Sequence, residues 1–368
     1  DCSNPYIAKN VVNISGMSFG ALSAPAIQAL SKGAHKAGIW LNTGEGGLSP
    51  YHRENDCDLI FQIGTAKYGV RDEKGQLCDK RLSEIAPHVK ALEIKLSQGA
   101  KPGRGGVLPG KKVTSEIAAI RGIEAGVISN NPNRHLDIAS DSDLLDMVRR
   151  VREVTGRPVG IKMVLGSDMP IKSLCEAILK RGSKHAPDFI TLDGGDGGTG
   201  AAPQVLADYV GLPLSEALPI LVDTLIMAGL RDRIRVIASG KLVTSAKVAW
   251  ALCMGANFVV SARGFMFALG CVQSQQCHLD TCPAGVTTHN KRRQKGLVVD
   301  VKAERVANYA QWMNFEADRL AHSCGLAHAR EFRRYHARMV KSSGVSIPLD
   351  ELYPYPEAYY GKTIKKYR

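Results

Sequence analysis

Aromatic residues make up only 6% of the 368-residue chain, and no apolar run approaches the roughly 18 residues of a membrane span. So few rings suit a nucleic-acid stacking surface poorly. No recognised nucleic-acid motif stands beside the basic charge, so a nucleic-acid partner is not expected. No secretory leader is visible. The chain lacks both the Gly-Lys-Ser/Thr ending of a Walker loop and the glycine spacing of a Rossmann turn. Its nine cysteines are odd in number, and the chain is far too large to need disulfide staples. A reducing, cytoplasmic compartment is therefore the expectation. The chain opens on Asp1-Cys2-Ser3 with no initiator Met. It reads as a piece of something longer, and membrane association through residues before Asp1 stays open.

The remainder is ordinary globular composition, 44% hydrophobic and 23% charged. This length suits one α/β barrel of roughly 250 residues with extensions, or two smaller domains. Thirty-seven glycines suit loops that bring backbone close to a cofactor. A formal charge of +13 and a pI near 9.3 favour acidic partners or anionic ligands, an acidic electron-donor protein among them. The basic residues gather late, at Lys291-Arg292-Arg293, from Arg330 to Arg338 and from Lys362 to Arg368.

Short apolar runs alternate with amphipathic stretches, the βαβ rhythm of a parallel sheet. The strands are expected at Val11–Ser18, Ile39–Thr43, Ala91–Leu96, Gly126–Ser129, Pro158–Val164, Phe189–Asp193, Arg235–Ser239 and Asn257–Ser261. That is eight, the count of a (β/α)8 TIM barrel. Helices fall at Ala24–Ala37, Thr114–Arg121, Ser142–Thr155, Ile171–Arg181, Leu214–Ala228 and Ser245–Met254, with Ser23, Ser142 and Thr244 as front caps. Two long spacers, Gly44–Pro87 and Ser97–Ser115, read as functional loops at strand C-termini. A cysteine-bearing loop follows strand eight, and the stretch from Lys302 to Val340 reads as helical. The expected division is a barrel with its cysteine loop over residues 1–300 and a helical extension with a tail over 301–368.

Strand seven ends in Ser239-Gly240-Lys241 and strand eight in Ser261-Ala-Arg263-Gly264. Loops after these strands are the usual phosphate cradle of barrel enzymes, where glycine frees backbone N–H groups for the oxygens. Gly240 and Gly264 are thus candidate phosphate ligands with Lys241 and Arg263 nearby; two ordinary βα turns are the plain alternative. After strand six, Gly195-Asp196-Gly197-Gly198-Thr199 is small enough to lie against a ring system. Lys162, mid-strand in an apolar setting, needs a negative partner. That partner is either a reduced flavin ring near its N1 or a barrel carboxylate.

Cys271, Cys277 and Cys282-Pro283 place three thiols at five- and four-residue gaps. Thiolates in one short loop, with proline after the last, suit iron–sulfur ligation. Three ligands fit a [3Fe-4S] cluster, or less readily a four-iron cluster with a non-cysteine ligand. Zinc with His278 or His289 is the alternative.

Five segments together make the chain resemble the synthase domain of glutamate synthase. They are Gly16-Met-Ser-Phe-Gly-Ala-Leu-Ser23, Asn42-Thr-Gly-Glu-Gly-Gly47, Glu93-Ile-Lys-Leu-Ser-Gln-Gly-Ala-Lys-Pro-Gly103, Gly194-Gly-Asp-Gly-Gly-Thr-Gly-Ala201 and the cysteine loop through Val286. They run in order from about residue 11 to 290, and the likeness is greatest to the shorter, stand-alone FMN-binding proteins of that family. The resemblance implies FMN, a three-iron cluster, and reductive formation of L-glutamate from 2-oxoglutarate and ammonia. By motif position it implies flavin contacts at Met17, Ser18, Gln98, Lys162, Ser239, Gly240 and Gly264. Glu45, Lys101 and Arg121 fall around the keto acid. Such charges have physical reasons: Arg121 can grip a carboxylate bidentately, Lys101 is a point charge, and Glu45 can orient ammonia or manage a proton at an imine.

Two segments depart from the family pattern. Val107 stands where the large enzymes usually carry Gln, and Asn130-Asn-Pro-Asn-Arg-His135 replaces the usual Ser-Pro-Pro-His. No glutaminase domain fits in this chain, so nitrogen is expected from ammonia, a small amine or a separate glutaminase-type subunit. Electrons are expected from ferredoxin or an NAD(P)H-oxidising flavoprotein subunit, in a homo- or hetero-oligomer. The alternatives are an N-methylglutamate synthase-type subunit, a different FMN oxidoreductase and a non-catalytic electron-transfer subunit.

Overall fold

In a computed structural model, which describes residues 2–197, 202–203, 205–207 and 209–356, eight parallel strands close a barrel. They are β1 (Val12–Ile14), β2 (Leu41–Asn42), β3 (Leu59–Ile63), β4 (Ala91–Lys95), β5 (Val159–Met163), β6 (Phe189–Asp193), β7 (Arg235–Ser239) and β8 (Phe258–Ser261), each paired with its sequence neighbours and β8 returning to β1. The fold is the expected TIM barrel, with one strand exchanged. Gly126–Ser129 is not a barrel strand. Ser129–Asn130 pairs only with Val107–Leu108 in a small antiparallel ribbon, and Val127 and Ile128 are about half exposed. The third strand is Leu-Ile-Phe-Gln-Ile at 59–63, buried throughout, inside the spacer expected to be a loop.

Helices α1 (Ala24–Ala37), α2 (Asp79–Ile85), α3 (Ser115–Arg121), α4 (Asp141–Thr155), α5 (Met169–Arg181), α6 (Leu214–Met227), α7 (Ser245–Cys253) and α8 (Arg263–Leu269) accompany the strands. Ser23, Thr114 and Thr244 cap their helices through side-chain oxygens. In α4 the cap is Ser140, not Ser142, in a reciprocal box with Asp143. The stretch after residue 300 is only partly helical. Helix α9 covers Val299–Ser323, followed by two 3-10 turns and the ribbon Arg338–Val340/Ser346–Pro348. Among the described residues no helix is long and apolar enough to cross a membrane.

Helix α9 packs across α1, α7 and α8. Asn314 Oδ1 accepts the amides of Val11 and Val12 at 3.0 Å each, pinning the start of β1. Lys32 pairs with Asp300 at 2.6 Å and Lys36 with Glu304. Gly33 permits the close approach, because a Cβ there would lie 2.5 Å from Val306 Cγ1 and 2.8 Å from Ala303 O.

Inside the barrel, the lower half is apolar, with Trp40, Ile60, Ala91, Phe189, Ile237 and Val260 clustered together. A cavity of about 280 Å³ lies there, reaching from Tyr6 and Phe258 up to Glu93 and Lys162. Above it runs a polar layer. Glu93 Oε1 accepts from Asn42 Nδ2 at 2.9 Å and Gln62 Nε2 at 2.6 Å, and Oε2 accepts from Thr191 Oγ1.

Gly33→Ala is expected to destabilise the protein by about 1–3 kcal/mol through overpacking. Val306→Ala in the same chain should recover only part of this, since the Ala303 carbonyl still crowds the new methyl. Thermal unfolding of the two variants checks it; an unchanged melting temperature in Gly33→Ala would contradict the packing described.

Candidate active site

Catalytic groups of barrel enzymes stand at the C-terminal ends of the strands, and nearly all the sequence-predicted residues gather there. Met17 and Ser18 follow β1, and Glu45 lies on the 3-10 turn Gly44–Gly46 after β2. Gln98 and Lys101 follow β4, Lys162 is near the end of β5, and Gly195, Asp196 and Gly197 follow β6. Ser239, Gly240 and Lys241 end β7, and Arg263 and Gly264 open α8 after β8. Gly198 and Thr199 lie outside the described residues. The cavity in the lower barrel is at the opposite end, beneath the polar layer.

Glu45 is the centre of the mouth. Its Oε2 lies 3.2 Å from Lys95 Nζ, which also donates to Gln98 Oε1 at 3.0 Å. Burial alone would raise the Glu45 carboxyl. Lys95, Lys101 and Arg121 outweigh that and hold it below the usual carboxylate range. The carboxylate has little space around it, since a Cβ on Gly106 would sit 2.5 Å from Oε1 and one on Gly64 2.8 Å from Oε2. Burial lowers the Lys101 ammonium, partly offset by Glu45.

Arg121 is buried on the last turn of α3. Its Nη2 donates to Phe19 O and its Nη1 to Ser129 Oγ, both at a long 3.4 Å. Its plane lies 5.0 Å over Tyr68, and Nε has no hydrogen-bond partner. A buried guanidinium with long bonds and an idle donor has capacity for a further acceptor.

Lys162 meets a barrel carboxylate, with Nζ 3.5 Å from Asp193 Oδ2. Burial pulls its pKa down, but Asp193 and Glu93 more than reverse that. Asp193 is a junction: Oδ1 accepts from Ser239 Oγ at 2.7 Å, and Oδ2 accepts from the Gly99 amide at 2.8 Å. The glycines here have chain-packing reasons as well. A Cβ on Gly99 would lie 2.0 Å from Gly194 O, one on Gly195 2.1 Å from Gly211 O, and one on Gly264 2.0 Å from Tyr309 Oη. Asp196 Oδ1 accepts the Leu214 amide at the start of α6. Loop meets loop here at van der Waals limits.

Sequence reasoning missed Lys95, Glu93, Asp193, His52 and His135. Glu93 and Lys95 had a signal: charged residues two apart in an otherwise apolar strand share the inward face. His52 had none. It is fully buried on the short helix Pro50–Arg53, its Nε2 lies 2.8 Å from Met17 O, and its Nδ1 lies 2.7 Å from Ser49 Oγ. A carbonyl only accepts, so Nε2 carries the proton and Nδ1 receives the Ser49 hydroxyl. Burial pushes the imidazole pKa down to about 4, so it is neutral at pH 7. His135 sits in the segment that departs from the family pattern. Its Nε2 lies 3.0 Å from Lys95 O, and its buried Nδ1 has no partner.

The cysteine loop follows α8. Among the described residues no three His, Cys, Asp or Glu side chains are grouped to hold a single ion. Cys271, Cys277 and Cys282 are close enough to act on one another electrostatically. Burial alone would raise the Cys282 thiol, but hydrogen bonds involving Thr287, Ala284 and Val286 hold it below its usual value.

An eight-stranded α/β barrel with a charged mouth and a cysteine loop after its last strand defines the class. Residues 2–327 match the conserved region in glutamate synthase. The chain is 45% identical over 356 residues to the glutamate synthase large subunit-like protein YerD of Bacillus subtilis, an alignment that takes in 95% of this chain and 67% of that protein. It is 35% identical over 346 residues to the archaeal glutamate synthase (NADPH) of Methanocaldococcus jannaschii, covering 93% of this chain and 63% of the relative. The chain belongs to the glutamate synthase family, and it spans about two thirds of the length of these relatives. Among solved structures, a double mutant of flavocytochrome b2 with pyruvate bound shares the fold at 15% identity and a TM-score of 0.51, covering 96% of this chain and 77% of that one.

His52 has a measurable consequence. Its folded pKa of about 4 lies below the ordinary 6.5, so the unfolded chain binds the extra proton. Stability should therefore fall as pH drops from about 6.5 to about 4, by about 3 kcal/mol from this group. His135 and His289 are lowered too, chiefly by burial, and add in the same direction. Denaturant unfolding across that range should show His52→Gln taking up about one proton fewer than wild type. Equal proton uptake would refute the neutral, buried assignment.

Proposed function

We propose that the chain is an FMN and iron–sulfur oxidoreductase that reductively aminates 2-oxoglutarate to L-glutamate with ammonia or a small amine. The carrying observation is the charge balance of the mouth. Lys95, Lys101 and Arg121 act together on the single Glu45 carboxylate, which leaves two positive charges over, the complement of a dicarboxylate. Arg121 grips one substrate carboxylate through its idle Nε edge, and Lys101 neutralises the other. Glu45, ionised and paired with Lys95, orients the incoming amine by accepting its N–H.

The C-terminal end of the barrel, with Lys162 near the end of β5, would hold FMN. Met17, Ser18, Gln98, Gly195, Asp196, Gly197, Ser239, Gly240, Lys241, Arg263 and Gly264 are its candidate contacts, and Gly198 and Thr199 complete that set by sequence. When bound, FMN supplies the hydride for C2 of the substrate imine. In this chain Lys162 holds a cation beneath the ring site, and Asp193 and Ser239 fix its direction. Cys271, Cys277 and Cys282 suit a [3Fe-4S] cluster better than zinc, which would need the ligands drawn around a single ion. Electrons then enter from a ferredoxin or an NAD(P)H-oxidising flavoprotein subunit. The exposed Phe267, Val272 and Leu279 and the exposed Lys291, Arg292 and Arg293 suit an acidic donor protein. In this reading residues 1–300 carry the chemistry, and the described part of the extension, residues 301–356, braces them.

Anaerobically reduced protein should recover its oxidised flavin band when mixed with 2-oxoglutarate plus ammonia or methylamine. Arg121→Ala should slow that recovery about 100-fold or more, mainly by weakening keto-acid binding. Glu45→Gln should slow it at saturating keto acid. If reduced flavin persists with every amine offered, a different substrate or a purely electron-transferring role replaces this reading.

A further inference from the structure

Lys112 ends the Gly110–Lys112 turn and is only 1% exposed. Its Nζ donates to three main-chain carbonyls, those of Thr287 at 2.8 Å, Ala21 at 3.0 Å and Cys277 at 3.3 Å. Two of these flank Cys282 in the cysteine loop. The third belongs to the loop after β1 that carries Met17 and Ser18. Neutral carbonyls satisfy the three N–H donors but leave the charge to be balanced from beyond hydrogen-bond range. Among the described residues Lys112 makes no ion pair within 4 Å; Asp280, Cys277 and Cys282 are the negative or ionisable groups that act on it from farther away.

A buried cation needs an anion. Thiols provide one when they are metal ligands, because coordination removes their protons. We infer that Lys112 is the counter-cation and tether of the cluster held by Cys271, Cys277 and Cys282. It is a positioning residue that fixes the cluster loop against the flavin loop and favours the cluster's reduced state. This rests on the cluster reading proposed above. A positive charge beside a cluster stabilises the added electron, so its loss shifts the midpoint potential negative. The three carbonyl bonds also set the separation of cluster loop and flavin loop, which are joined here through one ammonium.

The test compares wild type, Lys112→Met and Lys112→Gln in the flavin-containing protein. Iron and sulfide content, the paramagnetic resonance signal through a reductive titration, the flavin band and the melting temperature are measured. Lys112→Met should keep its flavin and lose most of its iron. Lys112→Gln, which retains N–H donors without the charge, should keep more iron and titrate at a more negative potential than wild type. Wild-type iron, sulfide and potential in both variants would overturn the inference while leaving the cluster reading intact. Iron-free wild-type protein would sink both. Should the Met variant not fold, the Gln variant decides alone through its potential: a negative shift supports the inference and an unchanged value overturns it.

Discussion

Four carbonyl oxygens within five residues, those of Met17, Phe19, Gly20 and Ala21, are each held by a basic side chain from elsewhere in the chain. The donors are His52, Arg121, His289 and Lys112 respectively. A loop has no ladder to satisfy its carbonyls, and buried ones must find donors. Here they come from the helix after β2, the helix of the β4 excursion, the cysteine loop and the turn beside it. The loop after β1 is thereby the common attachment for the proposed substrate, flavin and cluster groups. Displacing it would disturb all three.

That arrangement explains the long excursion between β4 and β5. It contains the ribbon 107–108/129–130, α3 and the turn at Lys112, far more chain than a crossover needs. It delivers two buried cations, Arg121 and Lys112, to carbonyls of one loop. Arg121 serves the mouth and Lys112 the cysteine loop, and each lies within electrostatic reach of the other. Each has a carboxylate of the chain acting on it, Glu45 on Arg121 and Asp280 on Lys112.

Charge is otherwise balanced in layers along the barrel axis. At the mouth cations outnumber carboxylates around Glu45. One layer down, Lys162 lies between Asp193 and Glu93, and Glu93 is fully hydrogen-bonded by Asn42, Gln62 and Thr191. Below that, Trp40, Ile60, Ala91, Phe189, Ile237 and Val260 surround the cavity.

The amino-acid sequence by itself determined the barrel, because eight buried parallel strands leave apolar runs between amphipathic helices, and it marked the cysteine loop by spacing alone. It also pointed to Glu45, Lys101 and Arg121, though through family likeness more than through pattern. Gly126–Ser129 carries two large apolar side chains and Leu59–Ile63 four, and it is the second that closure of the sheet buries on both faces. Tertiary structure alone decided the partners: Lys95 for Glu45, Asp193 for Lys162, and His52 and Lys112 for the carbonyls of the first loop. Each of those pairs joins segments far apart in the chain, whereas the shared inward face of Glu93 and Lys95 was legible. Local spacing carries the period of an element but not the distance between two elements, and electrostatic and hydrogen-bond pairing depend on that distance.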